Sequence, residues 1–291
     1  MKILLLGANG QVGWELQRSL SPLGDLIACD RTSADLGTPG KLRALVEKVR
    51  PDVIVNAAAY TAVDRAEADE NTARRVNAEA VAELANAARA ADAWFVHYST
   101  DYVFDGSKQT PWNEEDPTAP LNVYGQTKLD GLRAVEQSGC NFLIFRVTWI
   151  YSEHGVNFPN TILRLAAERE EISVVCDQFG APTPADWIAE MTALCLAQVL
   201  EDQRKCGIYN LAPLGSASWY DFAKEIVVVA QARGAVLKLA PDAIKAVPAS
   251  AYSTVAKRPT SSVLDTEKLQ NTFAIEIPDW LSLFRREGLR L

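Results

Sequence analysis

Tyr124 and Lys128 stand four residues apart in the run Leu-Asn-Val-Tyr-Gly-Gln-Thr-Lys. On a helix that spacing brings both side chains to one face, with β-carbons about 6 Å apart. A phenol is a poor acid near neutral pH, because its ordinary pKa is about 10. An adjacent ammonium favours the phenolate and is expected to lower that value. Tyr124 can then hand a proton to an alkoxide forming on a substrate carbonyl. Thr100 can donate a second hydrogen bond to the same oxygen, and Lys128 can hold the ribose of a nicotinamide. A second Tyr-x-x-x-Lys match, Tyr220 and Lys224, has no polar strand end before it and reads as a solvated helix face.

Such a set needs a hydride donor, and the start of the chain offers a place for one. Gly7, Gly10 and Gly13 follow the apolar run 3–6, and Gln11 and Val12 lie between the last two. In a strand-to-helix turn the first glycine allows the tight bend, the second lets a pyrophosphate approach, and the third allows close packing. The helix N-terminus presents free N–H groups to phosphate. Asp30 closes the second predicted strand, where an acid accepts from an adenosine ribose and favours NADH. Arg31 follows it and can pair with a 2′-phosphate, which favours NADPH, so both cofactors stay open. Asp35 and Leu36 are candidates to flank the adenine. Ala58 and Ala59 end the third strand, where a bulky side chain would block the cofactor.

The elements needed to position these groups are legible. Short apolar strands are expected at 3–6, 26–29, 53–55, 94–97 and 142–147, and helices at 12–20, 41–49, 72–91 and 124–137. This alternation predicts an α/β fold: a Rossmann-type, doubly wound parallel sheet. The dinucleotide-binding domain is expected over 1–150. A smaller, mainly C-terminal α/β substrate lobe is expected over 151–291, with segments returning to the first domain. In that half, helices at 158–169, 185–200 and 219–232 alternate with short strands and proline-bearing turns. In open parallel sheets ligands bind beyond the carboxyl ends of strands, so Thr100 and Tyr124 should converge there.

Composition narrows the alternatives. A net charge of −8 disfavours a nucleic-acid partner. Five scattered cysteines suggest reduced thiols and a cytoplasmic location. Two histidines and no C-x-x-C leave little material for zinc, and no apolar run approaches the roughly 18 residues of a membrane span. His97, on an apolar strand, reads as a core histidine. The acids Asp101, Asp105, Glu114, Glu115 and Asp116 read as a solvated face.

The motifs together resemble the extended short-chain dehydrogenase/reductases and, in finer detail, the dTDP-4-dehydrorhamnose reductases. The matching strings are GANGQVGWELQRSL (7–20), PDVIVNAAAYTAVD (51–64), YSTDYVFDG (98–106), PLNVYGQTK (120–128), FRVTWIY (145–151), DQFGAPT (177–183) and RPTSSVL (258–264). The resemblance implies reduction of dTDP-4-dehydro-6-deoxy-L-mannose to dTDP-L-rhamnose with NADPH or NADH. It makes Tyr124 the proton donor, Lys128 its partner and Thr100 the carbonyl polariser. Asp101 would touch the sugar, Trp149 would pack near it, and Asn77 would be structural. Arg258 is a candidate diphosphate clamp or a structural arginine. Some relatives bind magnesium at a subunit contact, and Glu15 and Asp186 match positions there, which leaves Mg2+ and a homodimer open. A related nucleotide-sugar reductase or epimerase, or a non-catalytic dinucleotide-binding subunit, is the alternative.

Overall fold

Strands β1 (Lys2–Leu6), β2 (Asp25–Cys29), β3 (Val53–Asn56), β4 (Trp94–Thr100) and β5 (Phe142–Val147) are parallel. They belong to one six-stranded sheet in a computed structural model that describes residues 1–287. The sixth strand, Gly207–Asn210, comes from the late half of the chain and pairs with β5. Across the sheet the order is Gly207–Asn210, β5, β4, β3, β1, β2. The winding therefore reverses between β1 and β3, and a crevice opens beyond their carboxyl ends.

The apolar runs are continuous because both sheet faces are covered. Ile3 and Leu5 point into one core, with Leu16 and Leu20 of the helix α1 (Gln11–Leu20) and Ile188 and Leu196 of the helix Ala185–Glu201. Leu4 and Leu6 point into the other, with Leu42 and Val46 of α2 (Lys41–Val49) and Val81, Leu84 and Ala88 of the helix Ala80–Ala90. This is the two-residue alternation of a strand buried on both sides. The doubly wound α/β fold expected from the sequence is thus present.

Two local expectations change. The strand predicted at 94–97 runs on to Thr100, because pairing with β5 continues to Thr100 opposite Val147. The single helix predicted over 72–91 is three segments: Glu70–Arg74, a wide π-type turn Arg75–Glu79, and Ala80–Ala90. Asn77 lies in the wide turn, buried. Its Oδ1 accepts from the Tyr60 N–H at 2.8 Å, and its Nδ2 donates to the Tyr60 carbonyl and to Thr127. It thereby ties the segment after β3 to the helix Val123–Ser138.

The late half builds a third core around Phe222, Ile226, Trp280 and Phe284, with the helices Phe158–Glu168 and Trp219–Ala232. Paired short strands, among them Ile172–Val175 with Ile244–Val247, brace it. Among the described residues no helix is long and apolar enough to cross a membrane.

Candidate active site

The glycine turn is held by backbone contacts that exclude side chains. Gly7 has φ +79°, and a β-carbon there would lie 2.6 Å from the Ala58 nitrogen. At Gly13 a β-carbon would lie 2.0 Å from the Gly7 carbonyl oxygen. Both glycines are therefore demanded by packing between β1, α1 and the end of β3. Gly10 differs: its nearest contact is the Gly7 oxygen at 3.3 Å, so a side chain would project into the cradle at the mouth of α1. No side chain caps α1, and its first-turn N–H groups have no intrahelical partner. These features fit a dinucleotide pyrophosphate.

Gln11 faces the second lobe: its Oε1 accepts from Ser152 Oγ at 3.1 Å and Asn157 Nδ2 at 3.0 Å. Val12 and Leu36 are core residues, buried on opposite faces of the sheet. Oδ1 of Asp30 accepts from the backbone and hydroxyl groups of Thr32 and Ser33. These bonds hold its carboxyl down to about 2, while Oδ2 meets Asn9 Nδ2 at 3.3 Å. Arg31 is exposed, with its Nε 3.6 Å from Asp35 Oδ1. Ala58 donates to Asn56 Oδ1 at 3.2 Å, and both Ala58 and Ala59 are only part-buried at the strand end.

The chemical groups meet at the end of β4. Thr100 opens a short 3-10 turn, Asp101–Val103, and its Oγ1 accepts from the Tyr102 N–H at 3.2 Å. The helix Val123–Ser138 is started by Asn122, whose Oδ1 accepts from the Gly125 N–H at 2.7 Å. Asn122 Nδ2 donates to the Lys257 carbonyl at 2.7 Å, fastening that helix start to the C-terminal segment. Gly125 lets the helix press onto the turn, since a β-carbon there would lie 2.3 Å from the Tyr102 oxygen. That approach brings the Tyr124 hydroxyl beside the Thr100 hydroxyl, near enough for Thr100 to favour the phenolate.

Lys128 lies one turn further, buried, with Nζ donating to the Tyr98 carbonyl of β4 at 2.5 Å. Burial lowers its pKa to about 7. The expected acidification of the phenol by Lys128 is not what this geometry gives. Burial raises Tyr124 to about 12, and the Thr100 hydroxyl pulls it only partly back. Lys128 does not offset that desolvation, because its Nζ is turned to the Tyr98 carbonyl and its own charged form is disfavoured by the dry surroundings.

Asp101 also departs from its expected solvated face. It is 4 % exposed, accepts from Thr100 Oγ1 at 3.0 Å and from Ser262 Oγ, and is raised by burial to about 6. Glu114 likewise turns inward, accepting from the Asn210 N–H at 2.7 Å. Asp105 is part-buried and caps its own turn, accepting from the Ser107 N–H and hydroxyl.

In the second lobe Trp149 has φ +43° and stacks on Trp219 with ring centroids 3.4 Å apart. Gly180 makes room for it, because a β-carbon there would lie 2.5 Å from the indole. Arg258 forks onto Asp64, at 2.5 Å to Oδ2 and 3.1 Å to Oδ1. Its guanidinium is thus engaged by a carboxylate at the place where a diphosphate clamp was expected.

Several residues fall outside this convergence. His97 is buried on β4, neutral, with Nδ1 against Asn56 Nδ2 at 3.3 Å, as a core histidine should be. Tyr220 and Lys224 form a helix-face pair, with the ammonium 5.5 Å above the ring. Glu15 is raised by burial and by Asp186, with Glu153 also nearby. Among the described residues no group of three or more His, Cys, Asp or Glu could hold a metal ion. Asn122, Tyr98, Trp219 and Ser262 gained no role from sequence reasoning. Only Asn122, a capping residue directly before a predicted helix, carried a readable signal.

Comparison with known proteins agrees along the whole chain. The model of the family described as the RmlD substrate binding domain matches residues 1–286. A dTDP-4-dehydrorhamnose reductase of Burkholderia thailandensis is 51% identical over 284 residues, covering 96% of this chain and 95% of that protein. One from Escherichia coli K12 is 50% identical, covering 96% and 94%. The crystal structure of a dTDP-4-dehydrorhamnose reductase from Bacillus anthracis in complex with NADP superposes with a TM-score of 0.88 at 32% identity, covering 98% and 97%.

Proposed function

Because the chain belongs to the RmlD family of dTDP-4-dehydrorhamnose reductases, we propose that it reduces the 4-keto group of dTDP-4-dehydro-6-deoxy-L-mannose to give dTDP-L-rhamnose. The observation that carries this reading is the meeting of Thr100, Tyr124 and Lys128 at the carboxyl end of β4. It lies on the same side of the sheet as the glycine turn. A bare dinucleotide-binding subunit has no chemical need for that trio.

When bound, a reduced nicotinamide supplies the hydride for the carbonyl carbon. The first-turn N–H groups of α1, at Gln11 to Gly13, and the open cradle at Gly10 would hold its pyrophosphate. Gly7 and Gly13 keep that turn pressed to Ala58. Asp30 Oδ2 would accept from the adenosine ribose, Asp35 and Leu36 would flank the adenine, and Ala58 and Ala59 would leave room beside it. Arg31 is the exposed cation at that end. It would exchange Asp35 for the 2′-phosphate of NADPH, a contact that NADH lacks.

Tyr124 gives its hydroxyl proton to the developing alkoxide. Its raised pKa keeps the proton in place across the neutral range. The phenolate left behind is stabilised by Thr100 and by the ammonium of Lys128 one helical turn away. Lys128 also holds the nicotinamide ribose. The sugar nucleotide enters between the two lobes, against Trp149 and over Asp101, with Arg258 near its charged end.

The test is an assay of NADPH and NADH consumption with dTDP- and UDP-linked 4-keto sugars. Turnover on the dTDP sugar, faster with NADPH, is expected. An absence of turnover on every keto sugar would remove the reading.

A further inference from the structure

Asp101 is a buried carboxyl with no cation within ion-pair distance among the described residues. It is held by hydroxyl groups instead. Thr100 donates to Oδ1 at 3.0 Å and Ser262 donates to Oδ2. Ser262 is 3 % exposed and comes from the C-terminal string that also anchors Arg258 to Asp64 and Thr260 to the Gly106 carbonyl. Its backbone N–H is fixed to the Phe179 carbonyl at 2.7 Å, so its hydroxyl has little freedom.

The hydroxyl of Thr100 has one proton and two lone pairs. The Tyr102 N–H occupies one lone pair. While Asp101 is ionised, the proton goes to Oδ1, and the remaining lone pair can only accept from Tyr124. The Tyr124 proton then points away from the substrate. When Asp101 carries a proton on Oδ1, it donates to Thr100. Thr100 turns and donates to Tyr124, whose proton is freed toward the sugar oxygen.

We propose that Ser262 is a positioning residue for the reduction: by occupying Oδ2 of Asp101 it aims Oδ1 at Thr100, and so sets whether the Thr100 hydroxyl proton points to Asp101 or to the neighbouring Tyr124. This rests on the reductase reading above. Other charged and titratable groups around the cluster are Tyr102 on its own turn, Tyr124 and Lys128 on the helix, Arg258 on the C-terminal segment, and Asp64. Both tyrosines stay neutral, Arg258 stays charged, and Asp64 is held low by Arg258. Lys128, near 7, is the one neighbour that also titrates close to neutrality.

The test is kcat for the dTDP 4-keto sugar against pH, with NADPH affinity measured alongside. In the parent, kcat should fall as pH rises through the Asp101 limb near 6. Ser262→Ala removes a donor to the ionised form, so the limb should move alkaline by about one pH unit. NADPH affinity should be unchanged. Ser262→Thr should restore the parent profile, and Asp101→Asn should abolish this limb while leaving any Lys128 limb in place. If Ser262→Ala does not fold, Ser262→Cys, a weaker donor, should show a smaller displacement in the same direction. A parent-like profile in the folded variant overturns the proposal. A parent that turns over no keto sugar overturns the functional reading instead, and this proposal with it.

Discussion

Replacing Gly125 with alanine tests how the helix start delivers Tyr124. The new β-carbon would lie 2.3 Å from the Tyr102 carbonyl oxygen, where ordinary contact begins near 3.4 Å. The helix must recede by about 1 Å, because backbone of a packed turn cannot yield as a side-chain tip does. Overpacking costs about 1–3 kcal/mol, and alanine returns about 1 kcal/mol of helix propensity over glycine. The net loss of stability is therefore modest, at about 0–2 kcal/mol. Catalysis suffers more, since a 1 Å misplacement of a reacting group costs on the order of 100-fold. Steady-state loss of NADPH absorbance on the 4-keto sugar should show kcat/KM down roughly 100-fold. Urea unfolding should show a small change. Parental kcat/KM in a Gly125→Ala protein would refute the argument that this contact places the phenol.

Tyr124→Phe should lower kcat by roughly 100- to 10,000-fold, the range of a lost general acid, while NADPH affinity by fluorescence titration holds. Arg31→Ala should weaken NADPH about 10- to 100-fold, as expected for lost charge-assisted bonds to a phosphate, and leave NADH affinity nearly constant. Lys128 has a folded pKa near 7 against 10.5 ordinarily. Between those values the unfolded chain binds the proton and the folded chain does not, so this group makes stability rise with pH from about 7 to about 10.5. Urea unfolding of Lys128→Met should lack that rise relative to the parent.

Much of this was legible because the signals were local. Gly7, Gly10 and Gly13 directly follow an apolar run, and the period of Leu4, Leu5 and Leu6 needed no tertiary knowledge. Tyr124 and Lys128 share a helix, so spacing alone placed them together. The environment was not legible. Nothing in YSTDYVFDG separates buried Asp101 from part-buried Asp105, because burial is set by Ser262, 161 residues away. The same holds for Lys128, whose dry pocket reversed the expected effect on Tyr124. Arg258 found Asp64 at a sequence separation of 194, beyond any local pattern. The sixth strand at Gly207–Asn210 was hidden because it is short and returns from the second lobe to pair with β5.

The central claim is that Tyr124 supplies the proton at the sugar C4 oxygen while Thr100 and Lys128 steady its phenolate. Its most direct test is a crystal structure of the protein with NADPH and dTDP-L-rhamnose. The account predicts the C4 oxygen within about 2.6–3.2 Å of the Tyr124 hydroxyl, with the nicotinamide on the opposite side of C4. A C4 oxygen out of reach of Tyr124, or held by another acid, would contradict it.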